Sequence, residues 1–318
     1  MKKEFGIFLL LAVLCAVTAA INPKFISAVN LTNIANLIGL FGIFSIGLGL
    51  VIITGGIDLS VGSMFALSGV LLSLALTSWH WPWPVAAAAA ILVPMLLGWC
   101  HGWLISRLKI QPFIITLCGL LVYRGLARFI AQDNTMGFGS AEGFETLRDI
   151  TKGKLFGLPM PFVILLVIAA IMWFVLHRSV FGRYLLAVGR NEEATRFSGI
   201  NTRRVIATSY VIAGLLTGIS GILLAFYTNS ISPSNHGNFY ELYGIAAAVL
   251  GGCSLRGGEG SIIGILIGTA LLQVLQNLVN LLGIPSSLNF AVMGAVVFIG
   301  VLADHLVQLR SAQRAVRI

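Results

Sequence analysis

The sequence predicts an all-α, polytopic integral membrane protein of about ten transmembrane helices. Three observations carry that expectation. Of the 318 residues, 58% are hydrophobic and only 10% charged, where a soluble domain carries about a quarter. Apolar windows long enough to cross ~30 Å of hydrocarbon recur along the chain, and 31–57 contains no ionisable side chain. The windows run well past the ~10 residues of a barrel strand without alternating, so their backbone polar groups are satisfied inside helices.

Taken in order, the spans are expected at about 5–22, 32–54, 60–78, 85–106, 112–131, 159–177, 205–227, 241–254, 261–282 and 287–308, the eighth being short. The first is also compatible with a secretory signal, since Lys2 and Lys3 precede the apolar run and Thr18-Ala19-Ala20 is a small-residue site. Its run, 5–21, is longer than a usual signal core, which favours a retained helix. The chain reads as a single transmembrane domain over 1–318, with 178–204 as a polar loop within it.

Placing both termini in the cytoplasm puts fourteen basic residues inside, among them Arg107, Lys109, Arg178, Arg183, Arg190, Arg203, Arg204 and Arg256, against Lys24, Arg148, Lys152 and Lys154 outside. Arg124 and Arg128 fall near the outer end of the fifth span, pointing either into a polar passage or outward. The Trp79-His80-Trp81-Pro82-Trp83 cluster then lies at the outer interface, where indoles suit the headgroup level. The outer segment 132–158 fits either small surface helices facing a partner or an irregular solvated loop. The net charge of +9 follows topology rather than nucleic-acid binding, because the basic residues lie at span ends instead of on one aromatic-lined face. Cys15, Cys100, Cys118 and Cys253 show no metal-ligand spacing.

The densest charge lies in 178–204, with six arginines and two glutamates. Its centre carries the end signals of a short helix. Asn191 suits the N-cap, Glu192 and Glu193 favour the positive end of the helix dipole, Arg196 stands toward the other end, and Gly199 suits a left-handed stop.

Two glycine motifs interrupt the apolar spans. In Thr54-Gly55-Gly56-Ile57-Asp58-Leu59-Ser60-Val61-Gly62-Ser63 a carboxylate sits among glycines, implying irregular backbone that lines a watery cavity or is buried in protein. Asp58 either caps the next helix or belongs to a path. Similar wording returns in Gly251-Gly252-Cys253-Ser254-Leu255-Arg256-Gly257-Gly258-Glu259-Gly260-Ser261-Ile262, and the topology places both copies at one face. Within the ninth span Gln273, Gln276, Asn277 and Asn280 fall on one helix face. Neutral amides there either bind neighbouring helices or line a passage suited to hydroxyl-rich solutes.

Four segments together resemble the permease subunits of ribose-type bacterial ABC sugar importers: Gly55-Gly56-Ile57-Asp58-Leu59-Ser60-Val61-Gly62, Ile110-Gln111-Pro112-Phe113-Ile114-Ile115-Thr116-Leu117, the run from Phe181-Gly182-Arg183 through Gly189-Arg190-Asn191-Glu192-Glu193-Ala194 to Ser198-Gly199-Ile200, and Gly251-Gly252-Cys253-Ser254-Leu255-Arg256-Gly257-Gly258. The resemblance covers essentially the whole chain, with Arg190, Cys253-Ser254 and Arg256 as departures from the family pattern. It implies the ABC importer permease fold and a coupling helix at 191–198 that docks on a cytoplasmic ATPase. The coupling set is then Gly189, Arg190, Asn191, Glu192, Glu193, Ala194, Arg196 and Gly199; the path and gate set is Gly55, Gly56, Asp58, Ser60, Thr116, Gln273, Gln276, Asn277 and Asn280. Further implied are a second permease copy or a sister permease, and a periplasmic sugar-binding protein. The chain has no G-x-x-x-x-G-K-[ST] loop, so ATP and magnesium belong to the ATPase subunit and no cofactor to this chain.

Other classes fit less well. An ion-coupled transporter wants acids in mid-span, whereas Asp58, Glu241, Glu259 and Asp304 fall at expected span ends. An intramembrane enzyme lacks its motifs, and His101 reads as a packed helix residue. An amino-acid importer is the nearest competitor on substrate, its zwitterion favouring charged or helix-terminal contacts.

Overall fold

The computed structural model describes residues 2–139, 141–285, 288, 291, 292, 294, 295 and 298. Its helices are α1 (Lys2–Ile21), α2 (Ala28–Ile53), α3 (Val61–Thr77), α4 (Trp83–Leu108), α5 (Pro112–Ala131), α6 (Glu145–Lys152), α7 (Met160–His177), α8 (Val180–Arg190), α9 (Glu192–Phe197), α10 (Thr202–Thr228), α11 (Tyr240–Leu250) and α12 (Ile262–Leu281). Seven of them, α1, α2, α4, α5, α7, α10 and α12, are long and apolar enough to cross a membrane; α3 and α11 are apolar but shorter. Nine of the expected spans thus coincide with helices, and the tenth, at 287–308, lies outside the described residues apart from isolated positions.

The centre of the bundle is α2. From Gly39 to its end every residue is buried, and α7, α10, α11 and α12 pack around it. Bilayer-spanning helices gain little from hydrophobicity when they meet, so close approach over small residues decides the packing. Each glycine of α2 receives a different neighbour: Gly39 the backbone of Pro161 and Phe162, Gly42 the side chain of Leu165, Gly47 the Cα of Ala213, and Gly49 the side chain of Ile265. Ser220 of α10 adds a hydrogen bond of 2.6 Å to the Leu40 carbonyl.

The most extensive pairing among the described residues is α4 with α10. Gly98 and Gly102 of α4 meet Tyr210 and Ala207, while Gly214 and Gly218 of α10 meet the backbone at Pro94 and Ile91. The four glycines repeat at four-residue intervals on facing surfaces, the small-residue spacing that lets backbones touch. By contrast α1 exposes Phe5, Phe8, Leu9, Leu10, Val13 and Val17 and touches the bundle through α12.

The two ends of the bundle differ. At one end lie the α2–α3 and α4–α5 connections, α8, α9 and the second glycine motif, with Arg107, Lys109, Arg178, Arg190 and Arg256 among them. At the other lies 132–159, which is folded rather than irregular: α6, a small antiparallel hairpin (β1 Lys154–Leu155, β2 Leu158–Pro159), and a bridge between Met136 and Ile231. Phe138 and Phe144 are buried against Phe226, with the Phe138 and Phe226 rings stacked at 4.2 Å. Beside them Arg128 is exposed and bonds Asp133, which holds that carboxyl below the usual range.

A methyl at Gly218 would stand 2.7 Å from the Cα of Ile91. Gly218→Leu is therefore expected to separate α4 from α10 and to destabilise the chain by about 1–3 kcal/mol. Thermal unfolding of purified protein in detergent checks this, and an unchanged midpoint contradicts it.

Candidate gate and coupling site

After α2 the chain turns at Gly55, whose φ of +80° glycine adopts without penalty, and runs back into the protein. Ile57 offers its carbonyl to the Tyr210 hydroxyl at 3.0 Å, and the Thr116 hydroxyl, bonded mainly to Pro112 at 2.9 Å, stands 3.5 Å from the same oxygen. Asp58 is 2% exposed. Its Oδ1 accepts from the Ser60 amide at 2.9 Å and the Ser60 hydroxyl at 2.6 Å. The carboxylate closes a turn two residues ahead, in the manner of an Asx turn. Ser60 occupies the N-cap of α3 without a side-chain cap bond of its own, and Asp58 holds the amide of that N-cap residue.

A second break faces the first. Between α10 and α11 the segment 229–239 re-enters the bundle, and α11 begins against Gly62 near the start of α3. At the α-helical rise the 11 residues of α11 cover about 16 Å, roughly half of the ~30 Å hydrocarbon. Arg124 of α5 reaches across both breaks. One guanidinium nitrogen donates to the carbonyls of Pro233 at 3.1 Å and His236 at 2.9 Å, and the other to Gly62 at 3.0 Å. Arg124 thus points inward. Glu241 in the first turn of α11 is 5% exposed and lies against Gly62, so an acid expected at a span end sits inside the protein. The sequence hid this because α11 starts within the bundle rather than at its surface.

At the basic end, α9 is the short helix expected at 191–198. Asn191 accepts from the Ala194 amide at 2.9 Å, and Gly199 stops the turn with φ +84°. Thr195 is its buried residue; Glu193, Ala194, Arg196 and Phe197 face outward, and Phe197 is 82% exposed. Glu192 differs from Glu193. Its carboxylate pairs with Lys109 in the α4–α5 connection and accepts from the Thr202 hydroxyl at 3.1 Å. The helix α8, capped by Ser179 on the Gly182 amide, was not anticipated within the polar loop. Its signal was present as Ser179 three residues before Gly182. The end of α8 brings Gly189 and Arg190 against Gly258, and the Gly258 amide donates to the Ile53 carbonyl at 2.8 Å. The two glycine motifs therefore meet.

The four amides of α12 do not form one face toward these loops. Asn277 exchanges two hydrogen bonds with Asn30, of 2.7 and 3.1 Å, and is a helix–helix contact. Asn30 lies 24 residues before Thr54 along α2, about 36 Å at the helical rise, so Asn277 sits at the opposite end from the first glycine motif. Asn280 is exposed, Gln276 half-buried, and Gln273 is 2% exposed with its Oε1 unpartnered. Asn30, one of three asparagines in the first third of α2, was a partner the sequence did not single out. The loops around Gly55, Gly56, Asp58, Ser60 and Thr116 come together; the amides stand apart from them.

The family described as branched-chain amino acid transport system / permease component matches residues 30–301. The ribose import permease protein RbsC of Bacillus subtilis (strain 168) is 38% identical over 95% of this chain and 93% of its own length. The protein of the same name in Escherichia coli (strain K12) is 36% identical over 93% of this chain and 91% of its own. The L-arabinose ABC transporter permease protein AraH of Azospirillum brasilense is 33% identical over 98% and 90% respectively. No solved structure gives a significant match. With its apolar helices wrapped around a buried α2 and a family match running through nearly all of them, the chain belongs to this family of transport-system permease components and is a multi-pass membrane protein.

Proposed function

We propose that the chain is the membrane-spanning subunit of an ATP-driven importer that passes a monosaccharide, of pentose or hexose size, across the bacterial inner membrane by alternating access. The observation that carries this reading is the direct abutment of the α8–α9 segment on the two glycine loops at the basic end of the bundle. A partner pushing on α9 from that side acts on the loops that interrupt the spans. The excess of Lys and Arg at this end supports a cytoplasmic position for it, and an ATPase subunit is the partner, holding the ATP and magnesium. A periplasmic binding protein delivers the sugar to the opposite end, where 132–159 is folded into a surface. A second permease, identical or sister, completes the path. The sugar names of the relatives favour carbohydrate over the amino acid in the family's description.

Uptake of radiolabelled pentoses, hexoses and leucine into vesicles holding the full set of subunits tests the cargo. Sugar uptake is expected, and leucine uptake alone sinks the sugar reading. Glu193→Lys is expected to leave insertion intact while lowering uptake about tenfold, because Glu193 faces the partner and Glu192 is already engaged within the chain. Unchanged uptake removes Glu193 from the docking surface.

Gln273 and Asn277 are expected to separate. Asn277→Leu leaves the Asn30 Oδ1 without its donor and lowers thermal stability by about 1 kcal/mol, whereas Gln273→Leu keeps stability and lowers uptake. The opposite pattern excludes Gln273 from the path.

A further inference from the structure

We infer that Gly189 is the joint through which movement of α9 reaches the gate, positioning the 54–60 loop by backbone contact; this rests on the coupling reading above. Gly189 is the next-to-last residue of α8. Its side-chain-free face lies against the carbonyl oxygen of Ile53, the last residue of α2, and against the amide of Gly258. Those two groups are themselves hydrogen-bonded at 2.8 Å. Arg190 lays its stem on Gly258, and a Cβ on Gly257 would stand 2.7 Å from the Gly189 carbonyl oxygen and 2.9 Å from the Gly55 amide. Three segments remote in sequence, 53–55, 189–190 and 257–258, thus meet backbone on backbone.

Side chains between moving elements absorb displacement by changing rotamer. Here none intervenes, and a close-packed contact transmits strain. Asn191 alone separates α8 from α9 and belongs to the ends of both. A push on α9 therefore reaches Ile53 through a single turn of helix, and Ile53 leads directly into the loop that holds Ile57 and Asp58. The Lys109–Glu192 pair ties α9 to the α4–α5 connection as well, but both side chains are partly exposed, at 50% and 35%, so solvent and salt weaken that hold. Gly189 has an ordinary φ, so alanine there changes the contact and not the local backbone preference.

The test uses the full chain assembled with its ATPase and binding protein in vesicles, reading retained ATPase, ATP hydrolysis and sugar uptake. Gly189→Ala is expected to retain the ATPase and hydrolyse ATP while uptake per ATP falls about tenfold. Wild-type uptake per ATP overturns the joint. A second variant covers failure of that chain to insert: Arg190→Cys with Arg256→Cys, both exposed positions flanking the contact, in a background with the exposed Cys100 and Cys118 replaced by serine. A short bifunctional thiol reagent bridging the two is expected to leave uptake at the unbridged level, because the joint moves as one body; loss of uptake on bridging overturns it. An unsubstituted chain that fails to retain the ATPase overturns the coupling reading as well, so the two failures are distinguishable.

Discussion

The structure depends on one side chain placed where two backbones break. Within an apolar bundle, carbonyls outside helices have no water to accept from, and each one left without a donor costs several kcal/mol. Arg124 presents N–H donors in a fixed fork, and it gives them to Gly62, Pro233 and His236. That satisfies two carbonyls of the re-entrant segment 229–239 and ties them to Gly62 in the first turn of α3, which allows α11 to begin inside the protein. Glu241 lies against the same Gly62, so an acidic side chain and the guanidinium share one site. The half-length of α11 and the burial of an acid at its start follow from this arrangement.

Around that centre the packing separates a rigid core from a lipid-facing shell. The four glycines of α2 and the paired glycines of α4 and α10 set close approaches through the core. Helices that lack such contacts, α1 above all, remain at the margin with their apolar side chains outward. A permease that switches between packings needs elements that stay intact while others move. The buried length of α2, which carries the first glycine loop at its end, is the element best suited to remain intact.

The basic end follows the same principle on a smaller scale. Asn191 divides α8 from α9 and leaves Glu193, Arg196 and Phe197 outward, whereas Glu192 turns back to Lys109 and Thr202. One of two adjacent acids therefore holds the helix and the other is exposed to solvent.

Whatever depends on neighbours along the chain was legible in the residues alone. Hydropathy placed nine of the ten expected spans on helices within a few residues, Asn191 and Gly199 marked the ends of α9, and the two glycine motifs marked breaks in the backbone, because capping, turns and insertion are local free energies. Only the tertiary structure decided which groups met. The reach of Arg124, the pairing of Asn277 with Asn30, the burial of Glu241 and the junction of Gly55, Gly189 and Gly258 join residues from about 60 to more than 240 positions apart. Such contacts are chosen by how helices pack and by where a buried polar group finds its donor, and neither is written in the residues on either side of it.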